Sequence, residues 1–312
     1  GTALTLVAAL SMPGSDLQES RGWIVLTDGA SAHVASAIAT LGGSVELDLG
    51  IISGLAAQLT DTQAALLGSQ PHVLSVVEDR SLDLTAQTWE GGSNSDPGSL
   101  ARLNQTVLGS TVMWQRGFTG EGVDVALIDS GVSPVAGLTG NVINGPDISF
   151  DSGFDNLRHL DLYGHGTHLA SIIAGNDGGS DPKASDLKTS YLGVAPGARI
   201  VSVKVANGVG LADVSQVIAG IDWVVEHRQS DDLNIRVLAL AFGTDSIQDY
   251  RIDPLSMAVE QAWHQGIVVV SAAGNDGSAQ PLRNPAQDPY VISVGAVDTK
   301  GTKANADDKV LD

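Results

Sequence analysis

Apolar residues recur along this chain in two rhythms. Residues 23–26 (Trp-Ile-Val-Leu) form a short continuous run, Asp28 and Gly29 turn the chain, and residues 31–41 place Val34, Ala37, Ile38 and Leu41 at helical spacing. Gly42 and Gly43 end that helix, residues 44–49 alternate as a strand, and residues 54–59 form another. Thr60 is positioned to cap a second helix carrying Ala64, Ala65, Leu66 and Leu67, and residues 73–77 close the series as a strand. The predicted order over residues 22–84 is βαββαβ, a small split-βαβ sandwich. Residues 1–21 read as an N-terminal arm, and the Gly-, Ser-, Asn- and Pro-bearing stretch 85–102 as a linker.

From residue 103 to 312 the rhythm changes. Apolar runs at 123–128, 200–205, 235–240, 267–270 and 291–297 are separated by helical patterns at 166–174, 213–227 and 255–264. Strands of near-continuous Val, Ile, Leu and Ala are buried on both faces, which predicts an α/β fold with a doubly wound parallel sheet. In such sheets ligands and chemistry gather at the C-terminal ends of the strands.

Charge narrows the partners. Lys and Arg number 16 against 36 Asp and Glu, a formal net charge of −20. That field repels phosphate backbones, so nucleic acid is excluded as a partner, and it favours cations such as Ca²⁺ or basic peptides. With no Cys among 312 residues, disulfides, zinc thiolates and thiol catalysis are all absent. No run reaches the ~20 apolar residues of a membrane span.

Two strand ends and one helix start carry candidate chemistry. The run 123–128 leads into Asp129-Ser130-Gly131, a carboxylate at the end of a buried strand, where an acid is costly unless it is used or paired. His165, in Tyr163-Gly164-His165-Gly166-Thr167-His168, opens an apolar helix, and an imidazole there exchanges a proton near neutral pH. Asn275 follows the buried strand Val268-Val269-Val270-Ser271 and offers an amide donor for an oxyanion.

These motifs, with Leu192-Gly193-Val194-Ala195-Pro196, Pro285-Ala286 and Val294-Gly295-Ala296-Val297, resemble the subtilisin family of serine proteases, the subtilases, over residues 103–297. The resemblance implies peptide-bond hydrolysis through an acyl-enzyme, with Asp129 orienting the imidazole, His165 as general base and then acid, Asn275 as oxyanion donor, and His168 as a structural neighbour. It implies that the peptide lies as an added strand between two edges, Gly208-Val209-Gly210 and Ala241-Phe242-Gly243. The family commonly has serine and a smaller aliphatic residue where Ala241 and Phe242 stand. Residues 22–84 resemble the family's propeptide, whose tail, around 81–88, is expected to enter the cleft as a product-like strand. The chemistry needs no cofactor, while Asn176-Asp177-Gly178-Gly179-Ser180-Asp181-Pro182 has the composition of a structural Ca²⁺ loop. The metal ligands themselves are unassigned. The family likeness further implies secretion.

The remaining features read as structural. His33, His72, His159, His227 and His264 lack a partner motif and are expected at the surface or satisfied in the core. Asn104-Gln105-Thr106 fits a glycosylation tripeptide that arises often by chance. Ser256-Met257-Ala258 lacks a preceding Gly-Thr and comes before Asn275, so it is not the nucleophile motif.

In the subtilase order a Gly-Thr-Ser nucleophile follows the 291–297 strand, and none stands between there and Asp312. Three explanations compete: deliberate truncation, a natural pseudoenzyme, or a longer protein cut near 309–312 whose second piece stays attached. The expectation is a C-terminal fragment that supplies the serine and covers the apolar sheet face. The alternative is a catalytically inactive peptide-binding scaffold with its propeptide bound.

Overall fold

A computed structural model describes residues 19–84, 99–177, 180–183, 191–230, 232–275, 282–300 and 308–310, without the side chain of residue 106. The first unit runs β1 (Arg21–Thr27), α1 (Ser31–Thr40), β2 (Ser44–Leu49), β3 (Gly54–Leu59), α2 (Asp61–Leu67) and β4 (Val73–Glu78), the order read from the sequence. Its strands form one antiparallel sheet, β2-β3-β1-β4. Thr60 caps α2 in a reciprocal pair: its Oγ1 accepts from the Gln63 amide at 3.3 Å, and the Gln63 side chain accepts from the Thr60 amide at 2.8 Å.

The unbroken apolar run in β1 has a physical cause. Successive strand residues face opposite sides of a sheet, and both sides of this one are covered. Val25 packs into the unit's own core with Val34 and Ile38 of α1 and Leu67 of α2. Ile24 and Leu26 belong instead to the main core of the chain, shared with Val217, Ile221 and Leu255.

The second unit follows as β5 (Ser81–Asp83), α3 (Leu100–Arg102), α4 (Ser110–Gln115), β6 (Asp124–Asp129), β7 (Val142–Asp147), α5 (His165–Ala174), β8 (Arg199–Lys204), β9 (Leu211–Asp213), α6 (Val214–His227), β10 (Ile235–Leu240), α7 (Pro254–His264), β11 (Val268–Ala272), β12 (Ile292–Val294), β13 (Val297–Asp298) and β14 (Lys309–Val310). A parallel six-stranded sheet takes the order β12-β11-β10-β6-β8-β7. In this order β6 stands between β8 and β7 on one side and β10, β11 and β12 on the other, so the crevice of a doubly wound sheet opens at the C-terminal end of β6, where Asp129 stands.

Register decides which faces are covered. Leu238 and Leu240 of β10 and Val269 of β11 share a core with Ile218 of α6 and Ala258 and Val259 of α7. On the opposite face, Ala170 and Ala174 of α5 pack against Val125, Leu127 and Ile200. Val237 pairs in register with both Val125 and Val268, and Val270 with Ile292, so the α5 face continues across β10, β11 and β12. There Val268, Ile292 and Val294 are 37%, 51% and 50% exposed.

Several elements differ from the sequence reading. Residues 142–147, which contain Gly145 and Pro146 and to which the sequence pattern assigns no element, form β7 at the sheet edge, where the missing proline N–H breaks no ladder. The run 291–297 divides into β12 and β13, because β13 leaves the large sheet and pairs with β14. Helix α4 was not anticipated; it buries Trp114, whose Nε1 donates to the Val194 carbonyl at 2.9 Å. Leu100–Arg102 is helical inside the stretch read as linker; residues 85–98 of that stretch and 1–18 of the arm lie outside the described residues.

Polar contacts join the two units. Asp79 accepts from the Ser215 amide at 2.9 Å in the first turn of α6, and Asp222 of α6 accepts from the Ile51 amide at 3.2 Å. Arg80 donates to Asp245 at 2.8 Å. Burial pushes the Asp79 carboxyl up to about 6 against the pull of the Ser215 bond, with the charges of Asp213 and Glu46 adding to the rise. A raised acid holds its proton only in the docked state, so docking is strongest below about pH 4 and weakens as pH rises toward 6, by roughly 2–3 kcal/mol in all. Asp79→Asn is expected to flatten that window. Denaturant unfolding followed from pH 4 to pH 7, about the span of this titration, checks it; an unchanged pH slope would refute it.

Candidate active site

Asp129 ends β6 with its side chain 1% exposed, and both carboxylate oxygens lie 2.9 Å from His165 Nδ1. Oδ1 also accepts the Ser130 amide at 2.7 Å. Two glycines make this approach geometrically feasible. Gly131 has φ of +101°, a left-handed turn directly after the carboxylate. Gly166 lies so close to that turn that a Cβ would stand 2.1 Å from the Gly131 carbonyl oxygen, so the first turn of α5 can rest on the end of β6 only without a side chain there.

His165 is the first residue of α5, with its side chain 14% exposed. Burial pulls the imidazole pKa down, but the Asp129 hydrogen bond and the charges of Asp129 and Asp161 outweigh it, leaving the ring above its ordinary value. The bond to a carboxylate assigns the proton to Nδ1, which leaves the lone pair on Nε2.

Asn275 stands just beyond β11, exposed. Strands β10 and β11 are parallel and pair Leu240 with Ser271, so Ala241-Phe242-Gly243 and Asn275 leave the sheet at the edge that carries Asp129. Asp276 and Gly277, which follow it, lie outside the described residues. Phe242 is buried, and its carbonyl accepts from the Ser271 hydroxyl at 3.4 Å.

The Gly208-Val209-Gly210 edge is fixed from behind, since Asp151 accepts the Gly208 amide at 2.7 Å. The chain's own β5 pairs antiparallel with β9, matching Ser81 with Asp213, Leu82 with Ala212 and Asp83 with Leu211. Beyond β5, the Leu84 amide donates to the Gly210 carbonyl at 2.9 Å, and the Tyr163 hydroxyl donates to the Leu84 carbonyl. Tyr163 is two residues from His165, so Leu84 lies beside the segment that carries the candidate site, while residues 85–88 lie outside the described residues.

Two buried charges escaped the sequence reading. Lys204 donates to the carbonyls of Ser130 at 3.0 Å and Ala206 at 2.7 Å, tying the Asp129 turn to the segment that leads into Gly208-Val209-Gly210. Burial lowers its pKa, against the charges of Asp147, Asp151, Asp161 and Asp129. Asp161 accepts from both sides of the Asp129–His165 junction. Their signals were a lone Lys inside an apolar strand and an acid four residues before the helix-opening histidine.

The histidine reading needs one correction. His159 is neither exposed nor satisfied: its Nδ1 is buried with no hydrogen-bond partner among the described residues, and its φ is +62°. Its backbone is committed, since the amide donates to Asp147 at 2.9 Å and its carbonyl lies against Gly131. Asn104 of the glycosylation tripeptide is buried and donates to the Leu192 carbonyl at 3.1 Å, and Ser256 is buried within α7. In the expected Ca²⁺ loop, Asn176 Oδ1 is taken by the Ser180 amide at 2.8 Å, and the described residues contain no group of three or more His, Asp or Glu placed to hold a metal. Residues 178 and 179 of that loop lie outside the described residues.

The profile of the subtilase family matches residues 120–308. The chain belongs to that family. Serine protease AprX of Bacillus subtilis is 35% identical over 196 residues, covering 62% of this chain and 42% of the relative. Subtilisin E of the same organism is 30% identical over 284 residues, 88% of this chain and 64% of the relative, an alignment long enough to take in part of the first unit. The chain therefore spans less than two thirds of either relative. In fold it is similar to fervidolysin of Fervidobacterium pennivorans, with TM-score 0.68 and 22% identity, covering 96% of this chain and 46% of that one. No helix among the described residues of this subtilase is long and apolar enough to cross a membrane.

The Gly166 contact yields a sharp expectation. Gly166→Ala should destabilise the fold by about 1–3 kcal/mol through overpacking and force α5 away from β6. Denaturant unfolding gives the first quantity, and loss of the low-field Nδ1 proton resonance of His165 reports the second. A variant as stable as the parent with that resonance retained would refute the packing account.

Proposed function

We propose that this subtilase forms the acid–base part of a serine endopeptidase acting through an acyl-enzyme. The observation that carries the reading is a buried carboxylate holding His165 Nδ1 at 2.9 Å, at the point where the sheet order reverses. With Nδ1 protonated, Nε2 takes the proton of a serine hydroxyl as its oxygen adds to the scissile carbonyl carbon. Asn275 donates its side-chain amide to the resulting oxyanion. His165 then returns the proton to the leaving amine, and water, deprotonated by the same ring, hydrolyses the acyl-enzyme.

The nucleophile is assigned to a Gly-Thr-Ser segment outside these 312 residues, in the same polypeptide or in a separate piece bound to it. Support comes from the apolar strip of Val268, Ile292 and Val294 on the α5 face, which such a segment would cover while presenting its serine to His165. The first unit is read as the propeptide, because its tail pairs along Leu211–Asp213 and continues to Gly210, where a peptide substrate would lie. Protein or peptide substrates and a location outside the cell are part of the same reading, supported by the likeness to the family.

The test is fluorophosphonate labelling of the protein together with its nucleophile segment, freed of propeptide. Labelling is expected, His165→Ala should abolish it, and Asn275→Ala should lower turnover by about 10² to 10³-fold. Silence in processed material would leave the peptide-binding scaffold as the better account. Denaturing intact-mass measurement shows whether the segment is covalently continuous with this chain.

A further inference from the structure

We propose that Asp161 is a positioning residue for the Asp129–His165 pair, a buried carboxylate that locks the end of β6 to the start of α5 and steers the Ser130 hydroxyl away from Asp129. The inference rests on the acid–base reading of that pair.

Five donors converge on this carboxylate, whose residue is 7% exposed. Its Oδ1 accepts from the Ser130 hydroxyl at 2.9 Å, the Tyr163 amide at 3.1 Å and the Gly164 amide at 2.6 Å. Its Oδ2 accepts from the Thr167 amide at 2.8 Å and the Thr167 hydroxyl at 2.6 Å. The same two hydroxyls carry the lock across: Ser130 Oγ accepts the Gly166 amide at 3.0 Å, and Thr167 Oγ1 accepts the Ser133 amide at 2.9 Å. The turn after β6 and the first turn of α5, which hold Asp129 and His165, thus meet through one side chain.

The Ser130 hydroxyl is the selective element. It has one proton and two carboxylate oxygens in reach, Asp161 Oδ1 at 2.9 Å and Asp129 Oδ1 at 3.1 Å. Asp129 Oδ1 already accepts the Ser130 amide and faces His165 Nδ1. While Asp161 takes the hydroxyl proton, the electron density of Asp129 stays directed at the imidazole. Without an acceptor at 161, the hydroxyl turns to Asp129 and competes for the oxygen that holds His165. An amide keeps one acceptor oxygen, but whichever way it lies its NH₂ group meets an N–H donor, that of Thr167 or those of Tyr163 and Gly164, so it cannot hold both sides of the lock.

The charged groups that act on the ring are Asp129 on β6 and Asp161 before α5; both also act on Lys204 of β8, together with Asp147 and Asp151. Asp161 raises the imidazole pKa by its charge, in the direction the lock requires.

The test is NMR titration of the His165 ring in this chain, a measurement independent of any nucleophile and therefore of whether the protein cleaves peptides. Asp161→Asn is expected to lower the imidazole's proton affinity by at least about threefold, and adding Ser130→Ala to return part of that loss, because the competing hydroxyl is gone. Ser130→Ala alone should leave the ring within about twofold of the parent. A folded Asp161→Asn protein with unchanged His165 titration overturns the proposal, as does a double variant that shows no recovery. Should the variants fail to fold, the Asp161 carboxyl carbon in the parent must show an inflection at the His165 midpoint; a flat Asp161 signal overturns the proposal equally.

Discussion

A carboxylate closed off from water at the end of a central strand has to be surrounded by donors, because an unpaired buried charge costs several kcal/mol. Asp129 is that group, and much of the local architecture follows from satisfying it. Its oxygens take the Ser130 amide and His165 Nδ1, which forces the start of α5 to lie on the end of β6. That contact in turn demands glycine at 131 and 166. Lys204, buried behind the turn, binds the Ser130 and Ala206 carbonyls, so the same cluster of charge fixes the segment that leads from β8 into the loop before β9.

The second organising constraint is apolar. The inner strands of the small unit's sheet, β1 and β3, are covered on both faces: one side is closed by its own helices and the other by α6 and α7. Docking buries Ile24, Leu26, Leu49 and Ala56 in the same core as the α6 and α7 side chains. Once the sheet is seated, β4 is aimed so that β5 falls alongside β9, and Leu84 arrives at Gly210 and Tyr163. Delivery of the tail to the cleft is thus a consequence of sheet packing some distance away, with strand pairing added at the end. The acidic groups along this seam, Asp79 and Asp213 above all, oppose the apolar attraction and are held up in pKa by burial there.

Much of this was legible in the residues. Period-two and helical spacing located the βαββαβ unit and five strands of the parallel sheet, because those elements bury one stripe or two faces and leave a periodic trace. The Asp129, His165 and Asn275 positions were legible because each sits where a buried strand or an apolar helix begins or ends, with glycine punctuation. Strand β7 was not legible: an edge strand tolerates Gly and Pro, which otherwise mark turns. Asp161 and Lys204 were missed because a single charge has no period, and only its neighbours in space reveal its use.

The sequence by itself determined the order of elements, the class of the sheet and the residues with acid–base chemistry, since these depend on side-chain type and local spacing. Tertiary structure alone decided that Ile24 and Val25 serve two different cores, that Ser130 has two carboxylates in reach, and that Val268, Ile292 and Val294 are left exposed on the α5 face of β11 and β12. The physical reason is the same in each case. Burial, register and hydrogen-bond competition are set by residues far apart in the chain, and local pattern carries no record of which distant partner arrives.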